Sequence, residues 1–189
     1  TDTMDTHATV EQTLRMVDAG CEYMVMEVSS QAVMMHRVAG IEYDYGVFTN
    51  ISNDHIGPEE HKDFDEYLMY KTKLFDHVKH TFVNIDDEHS DYVISNAGCD
   101  DIKTFGKSSK ADFRYDNIRY VKSNDFIGIE FDAYLDKKLS CEVAIPGEFN
   151  APNAMAAMCI CHAIGIEDKI LENGPLRFTV ELTYNTEKL

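Results

Sequence analysis

Apolar residues recur at helical spacing in Val10, Leu14 and Val17, with Gly20 just beyond them, and a short apolar run over residues 23–28 follows at strand length. The pattern predicts a helix over residues 9–19 feeding a strand. A second helix is predicted over 31–39, stopping at Gly40, and a second buried strand over 45–50. Behind Asp63 the periodicity predicts a third helix to about Val78, then a strand over 81–85 and a helix over 88–96. Helices and strands alternating in this way predict an α/β fold, a mostly parallel sheet with helices packed on both faces.

From residue 102 to 145 the pattern changes to short stretches rich in Phe, Tyr, Val and Ile, broken at Lys107-Ser108-Ser109, Ser123-Asn124-Asp125 and Asp136-Lys137-Lys138. These read as hairpins of a small antiparallel β-sheet, a subdomain within one domain spanning residues 1–189. At Pro146-Gly147 the chain turns into a further helix, with Pro152 in its first turn and Gly165 after its end at Ala163.

A chain of 189 residues with 44% hydrophobic content, 10 Phe and 10 Tyr can bury a substantial core. Its 34 acidic against 17 basic residues give a net charge of −17, which repels phosphate backbones and anionic membranes and removes both as partners. No apolar run approaches membrane length and the first residues lack the basic-then-apolar order of a signal peptide, so a soluble, cytoplasmic protein is expected. The 5 cysteines are scattered, without a C-x-x-C pair, which fits reduced thiols; Cys159 and Cys161 read as buried small hydrophobes.

Candidate chemistry sits at the predicted strand ends. Glu27 closes the run at 23–28 and Ser29-Ser30 follow it; the carboxyl end of a strand lines the ligand crevice of an open α/β sheet, where an acid is placed to hold a metal beside a nucleotide. The plainer alternative is a solvated carboxylate followed by a serine N-cap. The polar loop over 50–61 carries Asp54-His55 and His61, making His55 a candidate metal ligand or phosphate contact, against a surface turn around Gly57-Pro58. Lys71 falls in the apolar stripe of Phe64, Tyr67, Leu68, Leu74, Phe75 and Val78. Either its stem packs and the ammonium escapes to water, or the amine is partly desolvated and reactive. Asn150 and Asn153 stand three apart at a helix start, where their amides suit a nucleobase edge or one of them serves as a cap.

Six ordered blocks carry a family resemblance: Met26-Glu27-Val28-Ser29-Ser30-Gln31; Arg37-Val38; Val47-Phe48-Thr49-Asn50-Ile51-Ser52-Asn53-Asp54-His55; Tyr67 through Lys71 to Leu74-Phe75; Val83-Asn84-Ile85-Asp86-Asp87; and Pro146-Gly147-Glu148-Phe149-Asn150 with Asn153-Ala154. Together they resemble the Mur ligases, specifically the central ATP-binding domain of the MurE branch. The resemblance implies an ATP-dependent ligase of peptidoglycan synthesis, adding an amino acid to UDP-N-acetylmuramoyl-L-alanyl-D-glutamate through an acyl phosphate. It implies magnesium near Glu27 and His55, a carbamylated Lys71 beside it, substrate contacts at Thr3, Ser29, Ser30 and Arg37, and adenine contacts at Asn150 and Asn153. Gln31 and the loop form Asp54-His55-Ile56-Gly57-Pro58-Glu59-Glu60-His61 resemble the lysine-adding enzymes. The family's G-x-x-G-K-[ST] phosphate loop and its amino-acid-selecting domain are not in this sequence, so the chain by itself is expected to be inactive and to expose an apolar edge. The alternatives are a folylpolyglutamate- or cyanophycin-synthetase-like ligase and a non-catalytic nucleotide-binding module. Oligomeric state is left open by the sequence.

Overall fold

The computed structural model describes residues 6–53, 56–58, 60–122, 127–166 and 176–178. The chain divides into two compact units: Thr1–Gly46 with Asn50–Thr81 and His89–Ile102, and Val47–Thr49 with Phe82–Glu88 and Lys103–Leu189. The first unit carries the helices α1 (Thr6–Asp18), α2 (Ser30–Met34), α3 (Phe64–Lys73) and α4 (Ser90–Asn96), and the starts of the strands β1 (Tyr43–Phe48), β2 (Val78–Asn84) and β3 (Asp101–Gly106).

α3 begins where its sequence closes on itself. The Asp63 carboxylate accepts from the Glu66 N–H at 2.9 Å while the Glu66 carboxylate accepts from the Lys62 N–H at 2.8 Å, a two-way closure close to a capping box. The helix then buries Tyr67, Leu68 and Thr72, with Phe75 buried in the 3-10 turn that follows. The predicted stripe differs in its middle: Thr72, whose hydroxyl donates to the Leu68 carbonyl at 2.9 Å, faces inward, and Lys71 is half-buried at the stripe's edge. A hydroxyl satisfied by its own helix is cheaper to bury than an ammonium.

α2 ends at Met34, short of the predicted 39. His36 takes a left-handed backbone with φ 55°, its N–H donates to the Val33 carbonyl, and the Arg37 N–H donates to the Ala32 carbonyl at 2.8 Å, the Schellman closure of a helix end. The strand predicted over 23–28 is corrected: this segment joins no described ladder, and Val25 is 99% exposed. An apolar run becomes a strand only when a neighbour satisfies its backbone groups, and this one makes no ladder among the described residues. Val10, Leu14 and Val17 of α1 keep their helical spacing yet stand exposed, since no described element covers that face.

In the second unit, neighbouring strands follow the order β3, β4 (Phe113–Lys122), β5 (Ile127–Tyr134), β6 (Lys138–Val143) and β7 (Leu176–Phe178), with α5 (Asn150–Ala163) packed on β4, β5 and β6. β4 with β5 and β5 with β6 pair antiparallel, from Arg114↔Tyr134 and Ile129↔Val143; β3 with β4 and β6 with β7 pair parallel. The alternating residues Ile129, Phe131 and Ala133 of β5 and Leu139, Cys141 and Val143 of β6 are buried, and Ala151, Met155, Met158 and Cys159 of α5 are buried in the same core. The α/β class with a small antiparallel part is borne out. Cys161 is half-buried where full burial was expected.

Candidate functional site

Glu27 is exposed, on the segment without a ladder that leads to α2. Ser29 is the N-cap of α2, accepting from the Ala32 N–H at 3.2 Å, so the capping role is filled. Ser30, only 7% exposed, joins its hydroxyl to His61 Nε2 at 2.7 Å. Arg37, half-buried, follows the left-handed residue at the opposite end of the same short helix.

His61 has no solvent exposure. Its ring stacks on Tyr67 at 5.3 Å between centroids and on Tyr70 at 5.7 Å, with interplanar angles of 22° and 25°. Its carbonyl accepts from the Gly57 N–H at 3.1 Å and it bridges Ile56, so the turn anticipated around Gly57-Pro58 is closed by His61. Lys71 lies one turn beyond Tyr67 on α3, its Nζ 5.6 Å from the Tyr67 ring centroid, the position of a weak cation–π contact. Ser30, His61, Tyr67 and Lys71 thus form a continuous chain of contacts from α2 to α3, which joins Ser30 and Lys71, two residues that the sequence read as separate candidates. His61 itself was read only as part of the polar loop over 50–61. The signal for its burial was the pair Tyr67 and Tyr70, three apart on one helix beside a lysine.

Asn150 and Asn153 belong to the second unit. Asn150 is buried and its amide donates to the Pro146 carbonyl at 3.1 Å, clasping the turn before α5, whereas Asn153 is exposed. Gly147 makes that turn at φ 121°, and a Cβ there would stand 2.5 Å from the Phe149 ring. In the Val83–Asp87 block, Asp86 holds strands together, accepting from the Tyr115 hydroxyl at 2.8 Å and from the Lys107 N–H at 2.9 Å. Burial, then the Asp86 carboxylate, push the Tyr115 pKa far up, so the phenol stays a neutral donor.

Thr3 and His55 lie outside the described residues. Among the described residues no group of three or more His, Cys, Asp or Glu could hold a metal ion, and no helix is long and apolar enough to cross a membrane.

A family model described as the Mur ligase middle domain matches residues 1–161. The chain is 34% identical over 179 residues to a UDP-N-acetylmuramoyl-L-alanyl-D-glutamate–2,6-diaminopimelate ligase of Clostridium acetobutylicum, covering 90% of this chain and 36% of that protein. It is 33% identical to a UDP-N-acetylmuramoyl-L-alanyl-D-glutamate–L-lysine ligase of Streptococcus thermophilus, covering 84% and 31%. The chain therefore spans about a third of the length of these curated relatives. Among solved structures, a UDP-N-acetylmuramoyl-L-alanyl-D-glutamate–2,6-diaminopimelate ligase superposes with a TM-score of 0.63 at 25% identity, over 74% of this chain and 29% of that one. MurF from Acinetobacter baumannii shares the fold with a TM-score of 0.56 at 22% identity, over 69% of this chain and 29% of that one.

Proposed function

Because the chain belongs to the Mur ligase family, matching its middle domain, we propose that the whole protein carrying it joins an amino acid to UDP-N-acetylmuramoyl-L-alanyl-D-glutamate at the expense of ATP. The observation that supports this reading, beside the family match, is the packing of α2, with Ser30, against α3, with Lys71, through the buried His61. In this reaction an oxygen of the substrate's terminal carboxylate attacks the γ-phosphorus of ATP and ADP leaves. The amine of the incoming amino acid then attacks the acyl carbon, the amide forms, orthophosphate departs and the amine gives up a proton. The protein's contribution is to align these groups and to balance the charge that moves between them. The relatives' names include both diaminopimelate and lysine as the amino acid added, and both are candidates.

Ser29, Ser30 and Arg37, with Thr3, are assigned to the sugar-nucleotide substrate, Arg37 as a cation for its anionic groups. Asn153, exposed at the start of α5, is the better placed of the two asparagines to meet adenine, since the amide of Asn150 is engaged within its own turn. Magnesium accompanies ATP in this proposal, with Glu27 and His55 assigned to it from the family resemblance.

Lys71 is proposed to carry a carbamate: its neutral amine adds to the carbon of CO2, an N–C bond forms and a proton is released, turning a cation into an anion. Its half-buried position at the edge of the apolar stripe of α3 is the observation that supports this. Lys71→Ala in the full-length protein is expected to abolish amide formation while leaving the unfolding midpoint nearly unchanged, and added short carboxylates to restore part of the activity. Normal turnover by the variant would remove Lys71 from the site.

A further inference from the structure

We propose that His61 is a positioning residue: through Ser30 it fixes the start of α2, and with it the N-cap Ser29, against the face of α3 that carries Lys71. The consequence for substrate rests on the function proposed above, while the tie itself rests on geometry alone. α2 is only 5 residues long and ends at the left-handed His36, so it has little helical stability of its own. The segment before it joins no described ladder. Its placement must come from contacts to a neighbour, and α3 is the neighbour it packs on.

His61 is built to make one of those contacts rigid. Its backbone closes the turn from Gly57, which fixes the origin of the side chain. Stacking on Tyr67 and Tyr70 fixes the ring plane and leaves Nε2 directed at Ser30 Oγ, 2.7 Å away. Both partners are buried, so water does not compete for the bond, and losing it strands a polar group in the interior. Ser30 adjoins Ser29, the N-cap. A loosened Ser30 therefore loosens the residues assigned to the sugar nucleotide, whereas Lys71 stays on a helix with its own closed start.

The test compares His61→Phe, His61→Gln, Ser30→Ala and the double variant His61→Phe/Ser30→Ala in the full-length protein. Phenylalanine keeps the stack and removes the nitrogen; glutamine returns a hydrogen-bonding amide near the Nε2 position. Amide hydrogen exchange in α2 and α3 is read together with kcat and the separate KM values for UDP-N-acetylmuramoyl-L-alanyl-D-glutamate and ATP. His61→Phe and Ser30→Ala are each expected to speed exchange in α2 and to raise the KM for the sugar nucleotide about tenfold. For His61→Phe, exchange in α3, kcat and the KM for ATP are expected to stay within about twofold of wild type. The double variant should be no worse than either single change, and glutamine should recover most of the loss. Unchanged exchange in α2, multiplicative effects in the double variant, or a parallel loss in every kinetic constant would overturn the proposal. If α2 loosens non-additively while the unaltered protein fails to use the sugar nucleotide, the tie stands and the functional reading falls.

Discussion

Two donors converge on the Asp132 carboxylate: the Asn117 amide donates to it at 2.7 Å and the Lys138 ammonium lies at 2.9 Å, and these bonds hold its pKa below the ordinary carboxylate range. Asn117 reaches it by taking a left-handed backbone, φ 54°, where the register of β4 against β5 slips between Asp116 and Arg119. A carboxyl whose folded pKa is depressed adds stability that is present above its unfolded value, about 3.9, and is lost as pH falls through the folded value. Asp132→Asn is therefore expected to cost on the order of 1 kcal/mol in urea unfolding at pH 7. That difference should close as pH falls below about 4, and a difference constant down to acid pH would contradict the role given to charge. At this scale the sequence was uneven. Ser29 as a cap was foreseen as one of two readings because capping chemistry is local, whereas the inward turn of Thr72 in place of Lys71 depends on what packs against α3.

Among the elements, α3, α5 and the β4–β6 meander were legible because each advertises its period and its stops in adjacent residues: Asp63 and Glu66 at one start, Pro152 inside another, turn residues at Asp136-Lys137. The closed start of α3 has a measurable value. Asp63→Ala removes the acceptor for the Glu66 N–H and is expected to lower stability by about 1 kcal/mol in thermal or urea unfolding. It should also loosen Tyr67, one turn inside, on which His61 stacks. No change in midpoint would mean that another group takes over the cap. The run at 23–28 was misread, whereas the helix over α1 was read correctly. Periodicity tells which residues would pack together, but the neighbour that turns an apolar run into a strand or a stripe into a core face is supplied by tertiary structure.

For the molecule as a whole, the family was legible because the order of short blocks survives in sequence, and the match to the Mur ligase middle domain over residues 1–161 agrees with it. Of the candidate site, Ser29, Ser30, Arg37 and Lys71 were singled out one by one, but the buried histidine that joins α2 to α3 looks in sequence like any histidine in a polar loop. With a net charge of −17, the proposed binding of anionic substrates depends on a few local cations such as Arg37. The chain spans about a third of the length of these relatives, and the activity proposed above is proposed for the full-length protein. The most direct measurement is orthophosphate release by that protein from ATP with UDP-N-acetylmuramoyl-L-alanyl-D-glutamate and either diaminopimelate or lysine. One phosphate is expected per amide formed, and only when ATP, the sugar nucleotide and one of the two amino acids are all present. Phosphate release that ignores the sugar nucleotide, or turnover of a folylpolyglutamate-type substrate in its place, would contradict the proposed function.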